Sequence, residues 1–66
     1  MTVELADEVI RLRHKLGLSQ PALARVLNIH PQTVWRWEQG LYKINPIYLD
    51  RLKQMVEDQV REDVET

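Results

Sequence analysis

The sequence predicts an all-α protein, a compact bundle of four to five short helices. Three observations support this prediction. Apolar residues recur every three or four positions along much of the chain, which is the period of a helix. Capping residues, prolines and glycines divide the chain at intervals that fit helix boundaries. The strict alternation of apolar and polar residues that is typical of strands does not occur in the sequence.

The length of 66 residues indicates a single domain over 1–66, close to the lower limit for a chain that folds alone. The chain has no cysteine, which excludes disulfides and a cysteine-based zinc site and fits a reducing cytosol. It has neither an apolar run of about 20 residues nor a signal-peptide pattern. We therefore expect a cytoplasmic protein that makes no contact with a membrane.

The first predicted helix covers about residues 3–16. Its apolar residues share one face of the helix, since they are spaced by four, three and four positions: Leu5, Val9, Leu12 and Leu16. Gly17 follows directly, and glycine adopts without strain the left-handed conformation that ends many helices. We therefore place the end of this helix before Gly17.

The second predicted helix begins after Ser19. Because Pro21 has no N–H, we expect the Ser19 hydroxyl to accept a hydrogen bond from the amide of Ala22. The inner face of this helix consists of Leu23, Ala24 and Leu27. Asn28 is expected to end it, because asparagine tolerates the left-handed conformation better than most residues.

The third predicted helix begins after His30, with Pro31 in its first turn, and runs to about Gln39 before Gly40. Its two tryptophans, Trp35 and Trp37, must point to different faces, because they are two positions apart on a helix. The inner face is formed by Val34, Trp37 and Glu38, and the outer face by Gln32, Arg36 and Gln39 with Trp35 on its flank. Glutamine and arginine form bidentate pairs with base edges in the major groove.

The fourth predicted helix covers about residues 46–64 and begins at the pair Asn45–Pro46. Its apolar face consists of Leu49, Leu52, Val56, Val60 and Val64. Because residues 51–64 contain neither glycine nor proline, we expect a continuous helix that extends beyond so small a domain. Val60 and Val64 would then be exposed unless a partner covers them. We hypothesise a dimer contact through Val56, Val60 and Val64; the alternative is that this face belongs to the core of the domain.

The net charge of −1 conceals an uneven distribution along the chain. Residues 11–43 contain six basic side chains and one acidic one, whereas residues 57–66 contain five acidic side chains and one basic one. A basic segment favours a polyanionic partner such as a nucleic acid. The alternative is a solvated surface that happens to be basic.

The stretch "LRHKLGLSQPALARVLNIHPQTVWRWEQG" at residues 12–40 resembles the Cro/cI-like family of phage repressors and prokaryotic regulators, also called the XRE type. The shared motifs are "LR" at 12–13, "LGLSQ" at 16–20, "LA" at 23–24 and "WEQG" at 37–40, together with apolar residues at 27, 29 and 34. The resemblance extends loosely to residue 57. It implies a lambda-repressor-like helix-turn-helix at about 19–40. The function that it implies is a repressor that binds a palindromic operator in double-stranded DNA as a homodimer.

The resemblance also implies roles for individual residues. Bases would be read by Gln32 and Arg36, with Pro31 and Thr33 beside them. The phosphate backbone would be contacted by Gln20, Gln39 and Lys43. A structural salt bridge between the first and third helices would be formed by Arg13 and Glu38.

Two positions depart from the family pattern. Asn28 stands where glycine is common, and Trp35 stands where small or polar residues are usual. Trp35 could contact DNA, contact another protein, or lie along a neighbouring side chain. The second hypothesis is therefore a protein-interaction module, such as an antitoxin or an adaptor, that uses Trp35 and the acidic C-terminal helix.

No group of residues in the sequence predicts catalysis. His14 and His30 are the only histidines, and no cysteine could complete a metal site with them. Ser19 lacks the surrounding motif of a hydrolase, and the carboxylates of the tail have nothing to desolvate them. We expect a protein that is not an enzyme and that has neither a metal nor a cofactor.

Overall fold

The computed structural model describes the backbone of residues 2–65 and the side chains of residues 4–60. Its four helices are α1 (Thr2–Leu16), α2 (Gln20–Leu27), α3 (Pro31–Glu38) and α4 (Pro46–Glu65). Helix α1 packs against α3 and α4, and α2 packs against α3. The predicted all-α fold is confirmed. Helix α4 has 20 residues, close to the predicted range of about 46–64, and is the longest of the four.

The core lies where α1, α2, α3 and the first half of α4 meet. Its largest fully buried side chains are Val9, Leu23, Val34 and Leu52. The indole of Trp37 is 5% exposed and packs against the ring of Tyr48, with the ring centroids 5.6 Å apart and the planes tilted by 42°. Such tilted aromatic pairs are favourable beyond the area that they bury. The predicted inward orientation of Val34 and Trp37 is confirmed.

The turn between α1 and α2 has the expected capping geometry. Gly17 has a φ of +68°, and its amide donates to the carbonyl of His14. The Ser19 hydroxyl accepts a hydrogen bond from the amide of Ala22 at 3.2 Å, as predicted. These local bonds end one helix and begin the next within three residues.

The turn between α2 and α3 depends on one left-handed residue. Asn28 has φ 58° and ψ 47°, and the next amide, that of Ile29, donates to the carbonyl of Ala24 at 2.9 Å. His30 then caps α3, because its Nδ1 accepts a hydrogen bond from the amide of Gln32 at 3.1 Å. The conformation of Asn28 thus sets the direction in which α3 leaves α2.

The connection from α3 to α4 is held by a residue that the periodicity did not identify. Gly40 has a φ of +76°, and Ile44 in the following loop is 2% exposed. The side-chain oxygen of Asn45 then accepts a hydrogen bond from the amide of Ile47 at 2.9 Å. Burial of Ile44 anchors an otherwise exposed loop to the core.

Helix α4 is continuous, as expected, and should measure about 30 Å at the usual rise per residue. The principal extents of the molecule are 39 × 23 × 18 Å, so α4 is longer than the two shorter dimensions. Val56 packs against the core, whereas Val60 is 56% exposed. The side chain of Val64 lies outside the described residues. In the part of the chain that is described, no helix is long and apolar enough to cross a bilayer.

Replacing Asn28 tests the role of the left-handed turn. Because Asn28 is exposed, Asn28→Ala removes no buried area. The substitution does place alanine at a positive φ, a conformation that alanine adopts less readily than asparagine. We expect it to lower the free energy of unfolding by about 1 kcal/mol, and Asn28→Gly to change it by less than about half of that. Urea unfolding measures both values. Equal stability of Asn28→Ala and the natural chain would contradict this account of the turn.

Candidate nucleic-acid interface

A buried ion pair joins α1 to α3. The Nε of Arg13 donates to Oε2 of Glu38 at 2.6 Å, and its Nη2 donates to Oε1 at 3.0 Å. The Arg13 side chain is 15% exposed and that of Glu38 only 4%. The third nitrogen of the guanidinium, Nη1, donates to the carbonyl of Leu18 at 3.0 Å, in the turn before α2. The pair therefore has the two-pronged geometry that makes arginine–carboxylate contacts strong and directional.

Gln20 brings α2 into the same network. Its Nε2 donates to Oε1 of Glu38 at 3.0 Å. Three hydrogen bonds thus satisfy the buried carboxylate of Glu38, one of them from α2 and two from α1. Because the Gln20 amide nitrogen carries two hydrogens, one remains to donate to a further acceptor. The sequence motifs did not indicate the Gln20–Glu38 contact, since the two residues are 18 positions apart.

The guanidinium of Arg13 keeps its positive charge in acidic, neutral and mildly basic solution. The hydrogen bonds to Glu38 raise the pKa of the Arg13 guanidinium above its usual value, burial opposes this shift, and the charge of Glu38 reinforces it. A raised pKa in a basic group means that its stabilising contribution is complete below the ordinary pKa and is lost only at higher pH. Acidification therefore does not discharge Arg13.

The outer face of α3 is available to solvent. Pro31, Gln32 and Gln39 are exposed, and Thr33 and Arg36 are half-buried. The opposite face is fixed by the burial of Val34, Trp37 and Glu38. Gln32 and Arg36, to which the resemblance assigns base recognition, therefore lie on one face of a helix whose other face is held by the core and by Arg13, with Pro31 and Thr33 at the edges of that exposed face.

Arg36 does not extend freely from that face. Its guanidinium carbon lies over the ring of Tyr42, 5.1 Å from the ring centroid. Tyr42 is 56% exposed and belongs to the loop after α3. Sequence analysis gave Tyr42 no role, because residues six positions apart share no helix face and only the course of the loop brings them together.

The residues assigned to phosphate contacts lie on three separate elements. Gln20 is the first residue of α2, Gln39 is the C-cap that directly follows α3, and Lys43 is exposed in the loop after it. Trp35 is 42% exposed on the flank of α3, as the helical wheel indicated. Within the described residues, no three His, Asp or Glu side chains come together in a way that could hold a metal ion.

The comparisons with known proteins agree with this geometry. A family model described as a helix-turn-helix domain matches residues 4–56, which is most of the chain. Such domains bind DNA and are typically non-enzymatic, so the match implies DNA as the partner. No curated protein and no solved structure matches the chain significantly.

Two arginines on α1 provide a matched test of the buried pair. Arg13→Ala leaves the carboxylate of Glu38 buried without its counter-charge, and we expect it to lower the free energy of unfolding by about 3 kcal/mol. That is most of the stability of about 3–5 kcal/mol expected for so small a core. The measurement is urea unfolding followed by circular dichroism.

Arg11→Ala is the control. Arg11 pairs with Glu8 at 3.7 Å, but its side chain is 62% exposed, so its loss should cost at most about 0.5 kcal/mol. Similar effects of the two substitutions would show that the Arg13–Glu38 pair contributes no more than a surface contact.

Proposed function

Because the chain belongs to the family of XRE-like helix-turn-helix regulators, we propose that it is a sequence-specific transcriptional repressor. In this proposal it binds a palindromic operator in double-stranded DNA as a homodimer, with one α3 in the major groove of each half-site. The main support is the division of α3 into a buried face and an exposed face that carries Gln32 and Arg36.

Base recognition is assigned to Gln32 and Arg36. Gln32 lies in the first turn of α3, the part of a recognition helix that reaches base edges, and Arg36 lies one turn later on the same face. Glutamine can form a bidentate pair with adenine, and arginine with guanine. Pro31 and Thr33, which flank Gln32, would contact bases or thymine methyl groups through their apolar atoms.

Phosphate contacts are assigned to Gln20, Gln39 and Lys43. Gln20 is suited to this role because its amide is already oriented by Glu38 and retains a hydrogen to donate. It also stands at the N-terminus of α2, where free amides and the helix dipole favour an anion. Lys43 is exposed and would add a charge contact beyond the end of α3.

The charge distribution fits this orientation on DNA. Glu38, the one acidic residue among residues 11–43, is buried and neutralised by Arg13, so it presents no charge to the phosphates. Basic side chains of this segment that are exposed include Arg11, Lys15, Arg25 and Lys43. The five acidic side chains among residues 57–66 belong to the second half of α4, which is distant in sequence from the proposed interface.

Dimerisation is assigned to the second half of α4. Val60 continues the apolar face of α4 beyond the residues that pack on the core, and it is 56% exposed. A two-fold contact between two such helices would cover this face from Val56 onwards. It would also supply the second recognition helix that a palindromic operator requires.

A second candidate function is a protein-interaction module, and the exposure of Trp35 favours it. An indole that is 42% exposed offers apolar area that a protein partner could bury. Salt separates the two functions, because binding through phosphates weakens steeply as ionic strength rises, whereas apolar docking does not. A repressor that also binds a protein through Trp35 would show both behaviours.

Selection from random DNA duplexes tests the proposed function and the role of Arg36 together. The natural chain should enrich an inverted repeat with half-sites separated by about 10–11 base pairs. Arg36→Ala should weaken binding to that sequence by about 1–3 kcal/mol and relax the preference at one position of each half-site. Binding at several salt concentrations, followed by sequencing of the selected duplexes, measures both effects.

Lys43→Ala is the matched control for Arg36→Ala. It should weaken binding to all sequences alike and reduce the dependence of log K on log salt by about 1. Selection by the natural chain that yields no preferred sequence would contradict the proposed function. Unchanged selectivity of Arg36→Ala would contradict the role of Arg36 alone.

The dimer contact predicts a change in mass in solution. Val60→Glu places a charge in the proposed interface between the two α4 helices, so sedimentation should give a mass closer to that of the monomer. Val26→Glu is the control, because Val26 is 53% exposed on α2 and outside that interface. If both variants keep the mass of the natural chain, the α4 contact is not the dimer interface.

A further inference from the structure

Tyr42 is an exposed aromatic residue that the assigned contacts do not use. The residue is 56% exposed, yet its ring lies against the guanidinium of Arg36, with the guanidinium carbon 5.1 Å from the ring centroid. The core does not require this ring. Its one aromatic or charged contact in the described part of the chain is with the residue that the proposed function assigns to base recognition.

The backbone after α3 fixes Tyr42 in this position. Gly40 reverses the chain with a φ of +76°. The amides of Leu41 and Tyr42 then both donate to the carbonyl of Arg36, at 3.0 and 3.4 Å. The loop is therefore tied to the same residue whose side chain its ring contacts. These bonds hold the backbone of Tyr42 close to the end of α3, within reach of the Arg36 side chain.

The contact with Tyr42 restricts the Arg36 side chain but leaves its N–H groups able to donate hydrogen bonds. An arginine side chain loses much rotamer freedom when it is fixed on a ligand, and a neighbour that already restricts it reduces that loss. A cation over an aromatic ring is attracted by the face of the ring and requires no conventional hydrogen-bond acceptor. The N–H groups of the guanidinium thus remain to pair with an acceptor elsewhere. Arg13 differs, since Glu38 and Leu18 accept its hydrogen bonds.

We propose that Tyr42 is a positioning residue for base recognition, whose ring holds the guanidinium of Arg36 ready for a bidentate pair with the O6 and N7 atoms of guanine. This inference rests on the proposed function. It predicts that Tyr42 contributes to selectivity among sequences and contributes little to general affinity for DNA. If the Tyr42 hydroxyl instead contacted a phosphate, Tyr42 would contribute to general affinity for DNA and little to selectivity among sequences.

Three single variants, Tyr42→Leu, Tyr42→Phe and Arg36→Ala, and the double variant Tyr42→Leu with Arg36→Ala separate these possibilities. Binding is measured at one salt concentration to the duplex that the natural chain selects and to a scrambled duplex of the same length. Tyr42→Leu should weaken binding to the selected duplex about threefold to tenfold and leave binding to the scrambled duplex unchanged. Tyr42→Phe keeps the ring, and its binding should stay within about twofold of the natural chain. In the background of Arg36→Ala, Tyr42→Leu should have no further effect.

A second measurement reports the contact in the absence of DNA. The ring current of Tyr42 should displace the NMR signals of the Arg36 Nε–H group and the neighbouring methylene. Tyr42→Leu should remove this displacement, and Tyr42→Phe should retain it. Unchanged signals in Tyr42→Leu would overturn the contact and with it the positioning role.

Five binding results would overturn the proposal. Equal losses in Tyr42→Phe and Tyr42→Leu would assign the effect to the hydroxyl. Equal losses on both duplexes would assign it to the DNA backbone, and additive losses in the double variant would make Tyr42 independent of Arg36. A natural chain without any preferred duplex would overturn the proposed function and this role together. A preference that Tyr42→Leu retains in full would overturn the role of Tyr42 alone.

Discussion

The arrangement of the helices depends on the ion pair between Arg13 and Glu38. Glu38 is the last residue of α3, where the helix dipole disfavours a negative charge, and it is also buried. Both unfavourable effects require a compensating group, and the chain supplies Arg13 in the last turn of α1 and Gln20 in the first turn of α2. Because a buried pair of this kind tolerates little change in geometry, it fixes α3 relative to two other helices. The small core of a 66-residue chain would specify that orientation less strictly through apolar contacts alone.

The position of the exposed side chains on α3 follows from this constraint. Helix α3 has eight residues, so fixing Val34, Trp37 and Glu38 on the inside leaves one possible orientation for the rest. Gln32 and Arg36 are then directed to the opposite side by the helical period alone. The cap from His30 at one end and the turn at Gly40 at the other limit fraying of so short a helix. Residues that never approach DNA would therefore determine where the proposed base-reading groups stand.

The sequence predicted those features that depend on neighbouring residues and left out those that depend on the course of the loops. The cap at Ser19 and the left-handed turn at Asn28 follow from local chemistry, and the two faces of α3 follow from periodicity. The contact of Tyr42 with Arg36 and the burial of Ile44 arise in the segment between α3 and α4, which has no repeating pattern from which a direction could be inferred. The resemblance to the family implied the Arg13–Glu38 pair. It did not indicate that Gln20 also donates to Glu38, because this contact arises only from the packing of α2 beside α3.

Helix α4 contains two segments with different physical roles. From Tyr48 to Val56, its apolar side chains pack against the core, and the family match ends at the same residue. Beyond that point the apolar period continues to Val60, which the core does not cover. A single exposed valine is ordinary, but one that continues a buried face at the spacing of a helix turn extends an existing apolar surface. The fold accounts for this face only as far as Val56, and in the proposed dimer a second copy of the chain would cover Val60. Assembly and recognition would then reside in different segments, so that the contact between copies could change without moving α3.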